Sequence, residues 1–298
     1  MGIFLSLMSS LFAAAKDLLS KRLALQLDAI VSTFASFAFA LPYYAIILLV
    51  LWLCGYELLD YSLTFFVLVL LRSVTDTFAE AMKMYALAYG DISVVASFFS
   101  LSPLFLLFAS PWITGDPITA VGVVAVLLIV AGSLLMVYRP TGKDWAGQKK
   151  AIGLALGAAV FFSLNSCFDR LAVKHGLTAV VVEPGNRVAV SVMAGFAMTL
   201  CSACFLFPLV VRRPRRETLW HYRGEFALRG LLEVLFMVGK LAAMTYLQAP
   251  YVVGIQRLSL VLAIVGGRVF FAEPDFGRRL AAGLFILAGV LLIVLTTG

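Results

Sequence analysis

Charge is what this chain has least of. Only 13% of its 298 residues are Asp, Glu, Lys or Arg, against about 25% in an ordinary soluble domain. With 62% of residues apolar, that scarcity excludes a soluble globular protein. Histidine is nearly absent too: His175 and His221 are the only two, and both fall in predicted loops. There is no HExxH, GxSxG or Walker sequence, and the carboxylate-rich loop motif of a membrane-embedded transferase is missing. A membrane enzyme is therefore the weakest reading, and no cofactor or metal is expected. The four cysteines, Cys54, Cys167, Cys201 and Cys204, all lie in apolar stretches. Cys201 and Cys204 form a C-x-x-C without histidine or a second pair, so they read as packing. N-x-[ST] sites are absent and the tails are short, which suits a prokaryotic chain.

What is present is long apolar runs. A helix needs about 20 apolar residues to cross a bilayer, and ten such stretches follow one another with short links. They are expected at 2–24, 28–54, 62–89, 91–113, 117–138, 151–173, 185–211, 226–248, 250–272 and 278–296. The opening MGIFLSLMSSLFAAAKD lacks the basic start of a signal peptide and is read as the first helix. The fold class is thus an all-α integral membrane protein with ten transmembrane helices. The net charge of +7 sits mostly in loops, where cytoplasmic exposure and anionic headgroups explain it better than nucleic acid does.

The third stretch contains LRSVTDTFAEAMK, with Arg72, Asp76, Glu80 and Lys83 inside an arc of roughly 80° on one helix face. The design recurs 157 residues later in LRGLLEVLFMVGK, where Arg229, Glu233 and Lys240 align with Arg72, Asp76 and Lys83. VLLIVAGSLLMV (126–137) on GLFILAGVLLIV (283–294) matches at seven of twelve positions with the same offset. In the first helices the offset shortens, and Asp17 falls on Asp169. The chain therefore reads as a first five-helix repeat (1–138), a basic linker (139–150) and a second repeat (151–298). An odd number of helices per repeat makes the second enter from the opposite side. Two inverted five-helix repeats are a recurring secondary-transporter design, with substrate near the midplane.

YALAYGDISVVASFFSLSPLFLLFASPWITGDPIT, followed by an apolar helix ending in VAGSLLMV, resembles the EamA-type half of the drug/metabolite transporter superfamily. YLQAPYVVGIQRLSLVLAIVGGRVFFAEPDF with LAGVLLIV resembles a second copy. The resemblance implies ten helices and passage of small metabolites without ATP hydrolysis. Relatives also carry nucleotide sugars, sugar phosphates and lipid-linked sugars. The chain departs from the common pattern at Val261, which stands where the first half has Pro103, and in the charge of its third and eighth helices.

Each charge inside an apolar helix costs about 2.5–3.5 kcal/mol even on the mildest scale, so such residues are candidates for function. Arg72 with Asp76, and Arg229 with Glu233, could pair within their own helices or line a water-filled cavity where an arginine fork suits a carboxylate or phosphate. Gln256 and Arg257 break the repeat, since the first half has Phe98 and Phe99 there, and they join these four as expected substrate-binding residues. Glu80, Lys83, Lys240 and Asp169 are expected in gating or proton coupling. Glu80 leads because Met237 replaces it in the eighth helix. Lys16, Asp17, Lys83 and Arg268 stand near helix ends and could reach the interface. Gly153 and Gly157 form a GxxxG that reads as internal packing rather than a dimer seam.

The expected function is a secondary carrier of a small anionic or zwitterionic metabolite in the plasma membrane, its partners being the substrate and the lipid bilayer. The alternative is a flippase for a phosphate-bearing lipid-linked sugar.

Thirteen Lys or Arg (21, 22, 139, 143, 149, 150, 212, 213, 215, 216, 223, 278 and 279) lie in links on one side of the predicted membrane. The positive-inside rule puts that side in the cytoplasm and both termini outside, against the termini-inside orientation that the resemblance implies. A reporter active only in the cytoplasm, fused after Gly298, is expected to be silent; activity would reverse the orientation.

Overall fold

The computed structural model describes residues 1–24, 29–56, 61–89, 98–99, 101–137, 149–179, 183–212, 221–262 and 276–297. The linker up to residue 148, the first part of the expected fourth helix, the second half of the ninth and most of the loop 212–225 lie outside these residues. So does the side chain of Asp17.

Among the described residues every regular element is helical. The helices are α1 (Gly2–Ala24), α2 (Ala29–Leu53), α3 (Leu63–Tyr89), α4 (Ser102–Thr114), α5 (Ala120–Val137), α6 (Lys149–Gly176), α7 (Pro184–Val211), α8 (Arg223–Met244), α9 (Ala249–Gln256) and α10 (Phe276–Thr297). A single 3₁₀ turn, Leu177–Ala179, follows α6. Three helices are long and apolar enough to cross a membrane by length and composition: Ile30–Leu53, Lys149–Gly176 and Pro184–Val211.

Several ends differ from the sequence expectation for local reasons. Pro103, expected mid-span, sits in the first turn of α4, where its missing N–H breaks no helical bond. Gly115, at φ 67°, ends α4 in the left-handed conformation. α8 stops at Met244, short of the expected 248. There Arg170 Nη1 donates to the Met244 carbonyl and Arg187 Nη1 to that of Thr245 at 2.6 Å. These bonds satisfy acceptors that a helix end leaves open. α9 breaks into a turn at Arg257, whose N–H reaches back to the Gly254 carbonyl at 3.0 Å, before helix resumes to Leu262.

The described residues group into two compact units, each drawing on both sequence halves. One comprises Met1–Thr77 and Phe168–Tyr246, the other Phe78–Cys167 and Leu247–Gly298. In the first, α1 packs on α8, and α2 packs on both α7 and α8. Phe34 lies beside Phe207 at 6.1 Å and Tyr44 beside Phe196 at 6.4 Å, so α2 and α7 run antiparallel. Ser9 Oγ donates to the Phe236 carbonyl, and Lys16 pairs with Glu233, so positions that rise along α1 meet positions that fall along α8 and this pair is antiparallel as well.

In the second unit α5 packs along α10, and α4 and α9 pack on each other. The α5–α10 contact is reciprocal. A Cβ on Gly132 would stand 2.7 Å from the Ala282 carbonyl oxygen and 2.8 Å from Ile286 Cγ1. A Cβ on Gly289 would stand 2.5 Å from the Ala125 carbonyl oxygen and 2.6 Å from Ile129 Cγ1. Gly289, Ala282 and Ile286 lie 157 residues after Gly132, Ala125 and Ile129. Each contact is thus its counterpart with the helices exchanged, as a two-fold axis requires. Positions that rise along α5 meet positions that fall along α10, so the pair is antiparallel.

Helices in lipid associate through close packing of small residues rather than through the hydrophobic effect. Backbone oxygens cannot move aside cheaply, so Gly132→Ala and Gly289→Ala should each cost about 1–3 kcal/mol. Gly153, which has nothing within 4 Å of an added Cβ, should tolerate alanine. Thermal unfolding in detergent checks this, and equal melting of all three variants would contradict the close approach.

Candidate functional site

In α3 the interval of four residues between Arg72 and Asp76 places both side chains on one helical ridge. Arg72 Nη1 donates to Asp76 Oδ2 at 3.0 Å. The same guanidinium reaches across to α6, where its Nε donates to Asp169 Oδ1 at 3.2 Å. From α8, Lys240 Nζ donates to Asp169 Oδ2 at 2.7 Å. The result is a chain of alternating charge, Asp76–Arg72–Asp169–Lys240, that ties three helices of one unit together. All four residues are buried, and Asp169 has no exposed surface at all.

Further along α8 the residues 157 positions after Arg72 and Asp76 are held differently. Glu233 pairs with Lys16 of α1 at 3.1 Å. Arg229 Nη1 donates to the Ser32 carbonyl at 2.9 Å and to Ser32 Oγ at 3.1 Å. The ammonium of Lys16 also lies 4.0 Å from the centre of the Phe236 ring, a cation–π distance. Lys16 is therefore a mostly buried partner of Glu233, where the sequence suggested an end residue reaching for the interface.

Four of the expected site residues belong to the second unit. Glu80 and Lys83 form an i, i+3 pair on α3, with the ammonium 3.1 and 3.2 Å from the two carboxylate oxygens and both side chains partly exposed. Gln256 is the half-buried last residue of α9. Arg257, next in sequence, donates through Nη2 to Ser102 Oγ in the first turn of α4 at 2.5 Å.

The ten expected residues therefore fall into distinct groups. Arg72, Asp76, Asp169 and Lys240 form one connected network. Arg229 and Glu233 stand on α8 in the same unit, and Glu80, Lys83, Gln256 and Arg257 lie in the other. Sequence reasoning missed Ser32 and Ser102 as partners, because a serine in an apolar helix carries no signal of what faces it. Arg187 was equally hidden, since its role appears only once α8 is seen to end at Met244. Among the described residues, no group of three His, Cys, Asp or Glu is arranged to hold a metal ion. The chemistry available is electrostatic recognition, with buried cations answered by buried carboxylates.

Comparison with known proteins adds two findings. Residues 1–138 match the model of a family described as the EamA-like transporter family. A solved structure, a crystal structure of a protein with 16% sequence identity, aligns with a TM-score of 0.76 over 99% of this chain and 97% of that one. At that identity the likeness is one of fold. No curated protein matches the chain.

Removing one partner of a buried ion pair leaves an uncompensated charge, typically at a cost of about 3–5 kcal/mol. Asp169→Asn should therefore lower the melting temperature sharply, with Lys240 left opposite a neutral amide. The double variant Asp169→Asn/Lys240→Met should regain part of the loss, because the two residues are coupled. Additive losses in a double-mutant cycle would show that they are not.

Proposed function

From the match of residues 1–138 to the EamA-like transporter family, we propose that this chain belongs to that family, within the drug/metabolite transporter superfamily, and is a secondary transporter. It moves a small anionic or zwitterionic metabolite by alternating access, without ATP. Its ten helices span the plasma membrane as two inverted repeats, with both termini outside. The observation that carries this reading is the buried chain Asp76–Arg72–Asp169–Lys240. Charges held this deep in apolar helices are costly, and in membrane proteins they mark solute and ion pathways.

The inverted repeat draws support from the α5–α10 contact. Residues 157 apart exchange places across an antiparallel helix pair, and inverted repeats related by an axis in the membrane plane would give that pattern. A second instance lies in the packing of α6 on α3 and of α8 on α1. Gly157 faces Met82, while at the matching positions Gly239 faces Leu5 and Ser9, the small residue having changed sides.

The network also narrows the role of Arg72. Its fork is held by two carboxylates, so in this conformation it organises the site rather than offering itself to a ligand. Glu80 is the proton-coupling candidate, because its pair with Lys83 is partly exposed and open to water.

Proteoliposomes loaded with one small anion and diluted into a labelled one should show exchange by the native protein and none by empty vesicles. Glu80→Gln should keep that exchange and lose its acceleration by an imposed pH gradient. A variant that still responds fully to the gradient would leave Glu80 as structure alone.

A further inference from the structure

The two charged helices carry lysines at equivalent positions, Lys83 and Lys240, and the structure holds them in opposite ways. Lys83 is about one-third exposed and turned onto Glu80 of its own helix. Lys240 is buried and reaches another helix, to Asp169. The difference has a cause in the sequence. Where α3 has Glu80, three residues before its lysine, α8 has Met237, a buried apolar side chain.

Resting on the transporter reading above, we propose that Lys240 meets the anionic group of the substrate, and that its pair with Asp169 is the latch which the substrate opens. Three features support this. Asp169 is held by two cations, so it keeps Arg72 when Lys240 leaves and is never a bare buried carboxylate. Of those cations only the lysine is free to swing. Arg72 is pinned between Asp76 and Asp169 through separate nitrogens, whereas Lys240 is a point charge on a flexible four-carbon stem. Once off Asp169, Lys240 has no carboxylate one turn back on its own helix of the kind that receives Lys83. Its counter-charge must come from elsewhere, and a substrate carboxylate or phosphate supplies it. Asp169 thus occupies the place of the ligand's anion while the site is shut.

The test reads the reactivity of Lys240 in the full chain in proteoliposomes. A brief acetylation pulse is followed residue by residue by mass spectrometry, each rate being scaled to that of the same group in the denatured chain. Cys167 of α6, a native and wholly buried thiol, is alkylated in parallel to report global unfolding. Local opening outruns global unfolding, so Lys240 of the native protein should react roughly tenfold or more above the Cys167 reference. Protection equal to that of Cys167 would mean that the pair opens only when the fold does, which overturns the latch. This comparison needs no variant and so decides even where a substitution prevents folding.

Met237→Glu should raise the Lys240 rate to that of Lys83 by giving α8 the carboxylate it lacks, while Met237→Gln should leave it slow. Opening in both variants, or in neither, removes the argument from the missing carboxylate and the proposal with it. Exchange in the same vesicles separates the two readings. Lys240 opening without any anion exchange would end the carrier. Exchange with Lys240 closed throughout would end the latch alone.

Discussion

A charge inside an apolar helix must find its counter-charge within the protein, and the chain is arranged around that requirement at Asp169. Water does not reach this carboxylate, which has no exposed surface. Its compensation comes from Arg72 on α3 and Lys240 on α8. Moving Asp169 by one helical turn would strand it, so the register of α6 against both neighbours is constrained by charge. Desolvation offsets much of the Coulombic attraction in such a pair. The network therefore matters less as a source of stability than as a restriction on which side chains face one another.

The remaining helices are held by a different principle. In lipid there is no hydrophobic gain from bringing two apolar helices together, and close backbone approach becomes the main source of contact energy. Gly132 and Gly289 let α5 and α10 touch through their carbonyl oxygens, and Gly230 does the same for α8 against the Phe39 carbonyl of α2. Large apolar side chains such as Leu63, Phe108 and Trp112 are left outward, where a bilayer suits them. Large side chains also fill the interior, among them Tyr44, Phe65 and Phe226, so small residues serve the close helix contacts rather than the whole core.

Much of this was legible in the sequence. The apolar runs marked the helices of the described residues, three of which are long and apolar enough to cross a membrane, and the interval of four residues placed Arg72 on Asp76. What was not legible has a common cause. Sequence shows neighbours within a helix and says little of neighbours across it. Arg229 and Glu233 have the spacing of Arg72 and Asp76, yet Ser32 and Lys16 from other helices take part in holding them. Asp169 was recognised only through its match to Asp17, without any indication that two cations converge on it. The break at Arg257 was equally hidden, because α9 remains apolar on both sides of it.

The departures from symmetry follow the charges and spare the scaffold. At α5 and α10, residues 157 apart make equivalent contacts. On α3 and α8, equivalent residues make different ones: Lys83 bonds within its helix and Lys240 across to Asp169, while Asp76 takes an arginine and Glu233 a lysine. Had both halves been held alike, neither lysine would differ from the other in exposure, and no charge would distinguish one side of the protein from the other. A single substitution of type, methionine for glutamate at position 237, accompanies the largest of these differences. Symmetric packing at α5 and α10 thus stands beside asymmetric charge, with Lys240 shut away on Asp169 while Lys83 stays partly exposed on Glu80.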